Sequence, residues 1–184
     1  VTSRAFDNKM GAFIVAETMR EVASSKEGFR AALYAVGTVQ EEVGLRGAQT
    51  STYGIDPHVG IALDVTCATD HPDVDKRQVG DLQVGKGPVI ARGANVNPVV
   101  FEKLVGIADK KKIPYQIQAE PGATGTDANA IQLSRSGVAT GLVGVALRYM
   151  HTPVEVIDLR DLEHTIELLS RFVLSIDDKT TFTP

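Results

Sequence analysis

One cysteine, Cys67, stands in 184 residues. An internal disulfide is therefore excluded, and a reducing compartment is the expected setting. Tryptophan is absent and aromatic residues make up 5% of the chain, so aliphatic side chains must build the core. No apolar run approaches the roughly 20 residues needed to cross a bilayer, and nothing at the front reads as a secretory leader. The sequence thus predicts a cytoplasmic protein without a membrane partner. Positive charge is not in excess either: 19 Lys and Arg face 23 Asp and Glu, for a net charge of −4 and a pI near 5.6. That balance lacks the basic footprint of a nucleic-acid binder. Repeats, low-complexity tracts and linkers are also missing.

What is present suits one domain with a substantial core: 43% hydrophobic and 23% charged residues. Near the front, Ala12, Val15, Ala16, Met19, Val22 and Ala23 lie at helical spacing, with Glu17, Arg20, Glu21 and Ser24 on the other side. Asp7 falls at the start of that helix. Residues 29–40 hold an apolar run that predicts a buried strand, and residues 58–66 predict a second, closed by Asp64. Residues 68–86 read as a polar loop or hairpin whose acids, Asp70, Asp73, Asp75 and Asp81, are solvated. Gly85-Lys86-Gly87 lacks the glycine pattern and the Lys-Ser/Thr pair of a phosphate cradle. Residues 88–91 form a short strand. Asn97 then caps a helix with Pro98 at its first position, buried through Phe101, Leu104, Val105 and Ala108. Lys110, Lys111 and Lys112 sit where that helix's dipole welcomes cations. An extended segment at 113–118, a short helix from Thr126 or Asp127 through Leu133, and a strand at 137–146 follow. A closing amphipathic helix carries Leu159, Leu162, Ile166, Leu169 and Val173. The fold class expected is α/β, a mixed and mostly parallel sheet with helices on both faces.

The chemistry is expected at Glu41-Glu42, where the apolar run ends and Gly44 and Gly47 signal a turn. Adjacent carboxylates are costly to hold together unless something positive lies between them. A divalent ion would neutralise the pair and leave one acid free as a base. The alternative is a solvated acidic pair opening a surface helix. Asp7 has two readings as well, helix cap or metal ligand. Asp64 and His151 each lie beside the end of an apolar strand, the rim where open α/β sheets place ligands. Oxygen ligands with an imidazole suit zinc, cobalt or manganese, and two ions about 3.5–4 Å apart need a bridging carboxylate that Asp7 could supply. His58, His71 and His164 read as surface or structural residues.

Several blocks together resemble the tetrahedral, or glutamyl/deblocking, aminopeptidases. They are Ala5-Phe6-Asp7-Asn8-Lys9-Met10-Gly11, Val39-Gln40-Glu41-Glu42-Val43-Gly44-Leu45-Arg46-Gly47, Asp64-Val65-Thr66 and Arg148-Tyr149-Met150-His151-Thr152-Pro153-Val154-Glu155. Gly125-Thr126-Asp127-Ala128 and Ser134-Arg135-Ser136-Gly137-Val138 match as well. The resemblance implies a di-zinc peptidase-like fold and two divalent ions, zinc or cobalt. It implies that Asp7 bridges both ions, that Glu42 and His151 complete one metal's protein ligands, and that Asp64 binds the other. Glu41 would be the general base. Peptides are the implied substrates, hydrolysed from the N-terminus, and the intact protein is expected to form a homo-oligomer.

Departures from that pattern shape the expectation. The family's further histidine ligand, the aspartate supporting it and the dimerisation insert have no counterpart in residues 1–184. The chain opens at Val1 without methionine. It is read as one partial catalytic domain, lacking N-terminal strands. Cys67 stands where relatives often have histidine and takes no role. Asp127 either caps a helix, the favoured reading, or meets substrate. Two further readings stay open: a truncated or non-catalytic product retaining the fold and a partial metal site, and a di-metal deacylase of the same fold.

Overall fold

The computed structural model describes every residue except Asp73, and only the backbone of Gln78 and Val79. Asp73, one of the acids assigned to the 68–86 loop, therefore lies outside the described residues. The chain runs β1 (Thr2–Ser3), α1 (Phe6–Ser24), α2 (Arg46–Ile55), β2 (Val59–Cys67), α3 (Lys76–Val79), β3 (Val89–Gly93), α4 (Pro98–Lys111), β4 (Gln116–Glu120), α5 (Asp127–Ile131), β5 (Ala139–Leu147), β6 (Glu155–Val156) and α6 (Leu159–Leu174).

Four strands form one sheet in the order β2-β5-β3-β4. β2 runs parallel to β5 through nine residue pairs, β3 runs parallel to β4, and β3 meets β5 antiparallel. The sheet is thus mixed and mostly parallel, as the sequence predicts. Helices cover both faces. In register, Gly60 lies opposite Thr140; a Cβ on Gly60 would press on Ile131 of α5, whereas one on the next residue of β5, Gly141, would press on Val100 and Leu104 of α4. Successive strand residues point to opposite faces, so α5 and α4 lie on different sides. Ile14, Ile90, Val100, Leu104, Val143, Val145, Leu147, Leu168 and Phe172 fill the core and are almost wholly buried.

α4 starts as the sequence predicts. The Asn97 side chain accepts from the N–H groups of Val99 and Val100 at 2.9 and 3.1 Å, and Pro98 takes the first turn. In α6, Leu162, Ile166 and Leu169 are buried, but Leu159 stands 51% exposed at the first turn. α1 is rolled relative to the expected stripe. It buries Met10, Ile14, Thr18 and Val22, while Ala12, Ala16 and Ala23 are exposed. Alanine sides with neither face, so the larger Ile14 and Val22 set the rotation.

The expected strand over residues 29–40 does not form. That stretch has no sheet pairing, and Phe29, Tyr34, Val36 and Val39 are exposed. Among the described residues, none of the peptide groups of 29–38 bonds to another backbone group. An apolar run becomes a buried strand only when strands flank it, and here none does. Asp64 does not close its strand either: β2 continues to Cys67. The 68–86 region contains the short helix α3, capped by Asp75. Asp70 is not solvated, because it pairs with Arg148. Gly85 and Gly87 do present N–H groups together, but both donate to the buried carboxylate of Asp161 at 2.7 Å, so that cradle is filled from within the chain.

Candidate metal centre

Asp7, Glu42 and His151 offer ligand atoms that all lie within 4.8 Å of one another. His151 Nε2 is 3.0 Å from Asp7 Oδ2 and 3.7 Å from Glu42 Oε1. The Asp7 side chain is only 9% exposed, while those of His151 and Glu42 are 64% and 63% exposed. Asp7 therefore forms the floor, and the other two stand on the solvent side.

Local backbone structure explains each position. Asp7 is not the cap of α1. It and Asn8 have non-helical backbone angles, and the peptide joining them is cis. Asn8 does the capping instead: its carboxamide oxygen accepts from Gly11 N–H at 3.0 Å. The amide end of the same side chain donates to Leu63 O at 2.9 Å and to Asp64 Oδ1 at 3.3 Å. Asn8 thus ties the start of α1 to β2 and brings Asp64 beside Asp7. Gly11 is required here, because a Cβ would collide with the Asn8 carboxamide. Asp64 lies outside the close triplet and joins it through this link.

Glu41 and Glu42 occupy a turn before α2. Gly44 N–H and Leu45 N–H both donate to Glu41 O, at 3.1 and 3.0 Å, and Gly47 N–H donates to Val39 O at 2.8 Å. A Cβ on Gly47 would strike the Val39 backbone, so glycine lets α2 close onto the turn. His151 stands in the turn of a hairpin that follows β5, with a φ of 61°. Arg148 and Val156 pair across that hairpin through two backbone bonds, at 3.0 and 3.1 Å.

The carboxylates strain against one another. Burial and then the charge of Glu42 raise the Asp7 carboxyl, with Glu155 adding and His151 opposing. Burial raises Glu41, followed by the charges of Asp127, Glu42 and Asp7. Asp64 is pushed up to about 7, by burial above all, with Glu41, Asp7 and Asp127 adding and its bond from Val65 N–H opposing. A cation placed among these groups relieves both repulsion and desolvation. Three carboxylates with one imidazole form a donor set that suits a borderline divalent ion. Glu41 stands next to a potential ligand without belonging to the triplet.

Other residues singled out from the sequence fall elsewhere. Thr126 caps α5, accepting from Ala128 N–H. Of the two cap candidates it is thus Thr126 that caps, and Asp127 accepts from the Thr38 hydroxyl at 2.6 Å. Cys67 lies beside Met150, Sγ to Sδ 3.9 Å. His58 is exposed, His71 stacks tilted against Tyr149, and His164 belongs to α6. Sequence reasoning overlooked Asn8, Asp70, Arg148 and Glu155. Arg148 forks onto Asp70 through Nε and Nη2 at 2.7 and 2.6 Å, and Asp70 also accepts from Val84 N–H at 3.1 Å. The signal was an arginine three residues before the candidate histidine.

Comparison with known proteins adds an independent line. The family model for M42 glutamyl aminopeptidase matches residues 1–168. The lysyl aminopeptidase of Pyrococcus furiosus is 41% identical over 162 residues, which cover 88% of this chain and 45% of that protein. Among solved structures, aminopeptidase APDkam598 from the archaeon Desulfurococcus kamchatkensis aligns with a TM-score of 0.85 at 42% identity, over 95% of this chain and 49% of that one. The TET1 peptidase of Pyrococcus horikoshii, which can assemble into a tetrahedron or a large octahedral shell, aligns with a TM-score of 0.78 at 29% identity, over 96% of this chain and 50% of that one. The chain spans about half the length of the curated relatives it matches.

Proposed function

The chain belongs to the M42 glutamyl aminopeptidase family, and from that premise we propose that it carries the metal-binding part of an aminopeptidase acting on peptide N-termini. In this reading two divalent ions would be held by Asp7, shared between them, with Glu42 and His151 as further ligands of one and Asp64 as a ligand of the other. The observation that carries the reading is the approach of the Asp7, Glu42 and His151 ligand atoms within 4.8 Å. When bound, such ions, zinc or cobalt by the family resemblance, would supply polarisation of the scissile carbonyl and a water more acidic than in bulk. Glu41 would accept the proton of the attacking water on its carboxylate and return it to the departing amine nitrogen. Without an ion, burial and the charges of Asp127, Glu42 and Asp7 raise the Glu41 carboxyl above its usual range.

Assembly into a homo-oligomer belongs to the same proposal, supported by the shell-forming relative. The relative named as a lysyl aminopeptidase makes a basic N-terminal residue the first substrate to try. The test is an assay of the whole protein, with added zinc or cobalt, on amino-acid anilides and on their N-acylated counterparts. Turnover of the free-amine substrates alone is expected. Cleavage restricted to acylated substrates would move the reading to a deacylase. Absence of turnover on both, with metal bound, would make this a non-catalytic relative.

A further inference from the structure

Glu155 is 2% exposed, and its partner is unusual for a buried acid. Among the described residues no Lys or Arg side chain pairs with it. Its Oε2 instead accepts the backbone N–H of Asp7 at 3.2 Å. Burying a carboxylate for one hydrogen bond to one amide is a poor structural bargain, so the contact needs another reason. The same hairpin holds His151 at its turn and Glu155 at its base. It therefore meets Asp7 twice: His151 Nε2 at the carboxylate and Glu155 Oε2 at the backbone. Both ends of the hairpin are anchored. Arg148 forks onto Asp70, and β6 pairs with β1, Ser3 opposite Glu155, only four residues before Asp7. Asp7 and Asn8 lie outside helical geometry, so the regular ladder of α1 does not set the direction of the Asp7 side chain.

We propose that Glu155 is a positioning residue: by accepting the Asp7 N–H it holds the Asp7 carboxylate at the spacing from His151 and Glu42 that an ion requires. The proposal rests on the metal reading above, and it assigns Glu155 no contact with the ion or the substrate. Partners of metal ligands that fix their orientation typically govern affinity by about 10–100-fold. Glu155→Gln keeps an oxygen that can accept the Asp7 N–H, whereas Glu155→Asp is one methylene too short to reach it and Glu155→Ala has no acceptor.

The experiment titrates Co(II) and Zn(II) into the whole protein against a competing chelator and follows the Co(II) absorption bands, with circular dichroism of the metal-free variants as a folding control. Glu155→Ala and Glu155→Asp are expected to bind about 10-fold or more weakly with altered Co(II) bands, and Glu155→Gln to stay within about threefold of the parent. If Glu155→Ala does not fold, the comparison of Glu155→Asp with Glu155→Gln decides. Equal affinities and spectra in all forms overturn the proposal. So does a Glu155→Gln as weak as Glu155→Asp, because charge and not the accepted hydrogen bond would then matter. A parent chain that takes up no ion overturns the metal reading itself, and the Glu155 role with it.

Discussion

His151 Nε2 lies 3.0 Å from Asp7 Oδ2, with 143 of the 184 residues between them in sequence. One side chain comes from the irregular start of α1, the other from the turn of the hairpin after β5. Removing either is expected to affect metal uptake directly. Asp7→Asn, placed at the floor between the acids, should abolish binding of both ions, while His151→Ala should weaken one. Elemental analysis of metal per chain after dialysis checks this. Two tightly held ions in Asp7→Asn would sink the bridging role.

Glu41→Gln tests the proposed division of labour between a base and the ligands. It should keep metal stoichiometry and lower kcat by about 10²–10⁴-fold, because the amide cannot take up the proton. Loss of metal in this variant would show Glu41 to be a ligand.

The Arg148–Asp70 pair should make stability depend on pH. The guanidinium, chiefly through its hydrogen bond, holds the Asp70 carboxyl below its usual range. Its contribution is therefore fully present above the unfolded carboxyl's pKa of about 3.9, and is lost as pH falls through the lower folded value. With Asp70 16% and Arg148 33% exposed, Asp70→Asn should cost about 1–3 kcal/mol at pH 7. Urea unfolding at pH 7 and in strong acid measures both. A deficit that persists unchanged in acid would locate the cost elsewhere.

Gly11→Ala inverts the usual helix rule. Alanine ordinarily stabilises a helix interior by roughly 1 kcal/mol over glycine, but here its Cβ would displace a carboxamide held by three hydrogen bonds. A net loss of about 1–3 kcal/mol is expected, together with weaker metal binding. A higher melting temperature in Gly11→Ala would contradict this account.

Residues 29–40 offer a test of the exposed segment. Tyr34 and Val39 are 62% and 66% exposed, so Tyr34→Ser and Val39→Ser should each shift the stability of this chain by no more than about 0.5 kcal/mol. Equivalent substitutions in a buried strand would cost several kcal/mol. Denaturant midpoints distinguish the two.

Much of the architecture could be read from local patterns, because local chemistry enforces it. Asn97-Pro98 starts α4 by offering an acceptor and a preset φ; the long apolar run of β5 admits only a central strand; Leu162, Ile166 and Leu169 leave α6 one face to bury. Where a choice depended on neighbours, pattern misled. Alanines blurred the buried face of α1, Asp7 was offered as a cap that Asn8 makes, and residues 29–40 promised a strand that found no strand to join.

By itself the sequence determined the α/β alternation, the start of α4 and the set of acids and imidazole worth watching, since each follows from a side chain's own shape or charge. Only the tertiary structure decided which of them meet. Asn8 turning toward Leu63 and Asp64, and a hairpin bringing His151 and Glu155 to the two ends of Asp7, are contacts between distant segments. Packing of the sheet against α1 creates that proximity, and no short stretch of sequence encodes it.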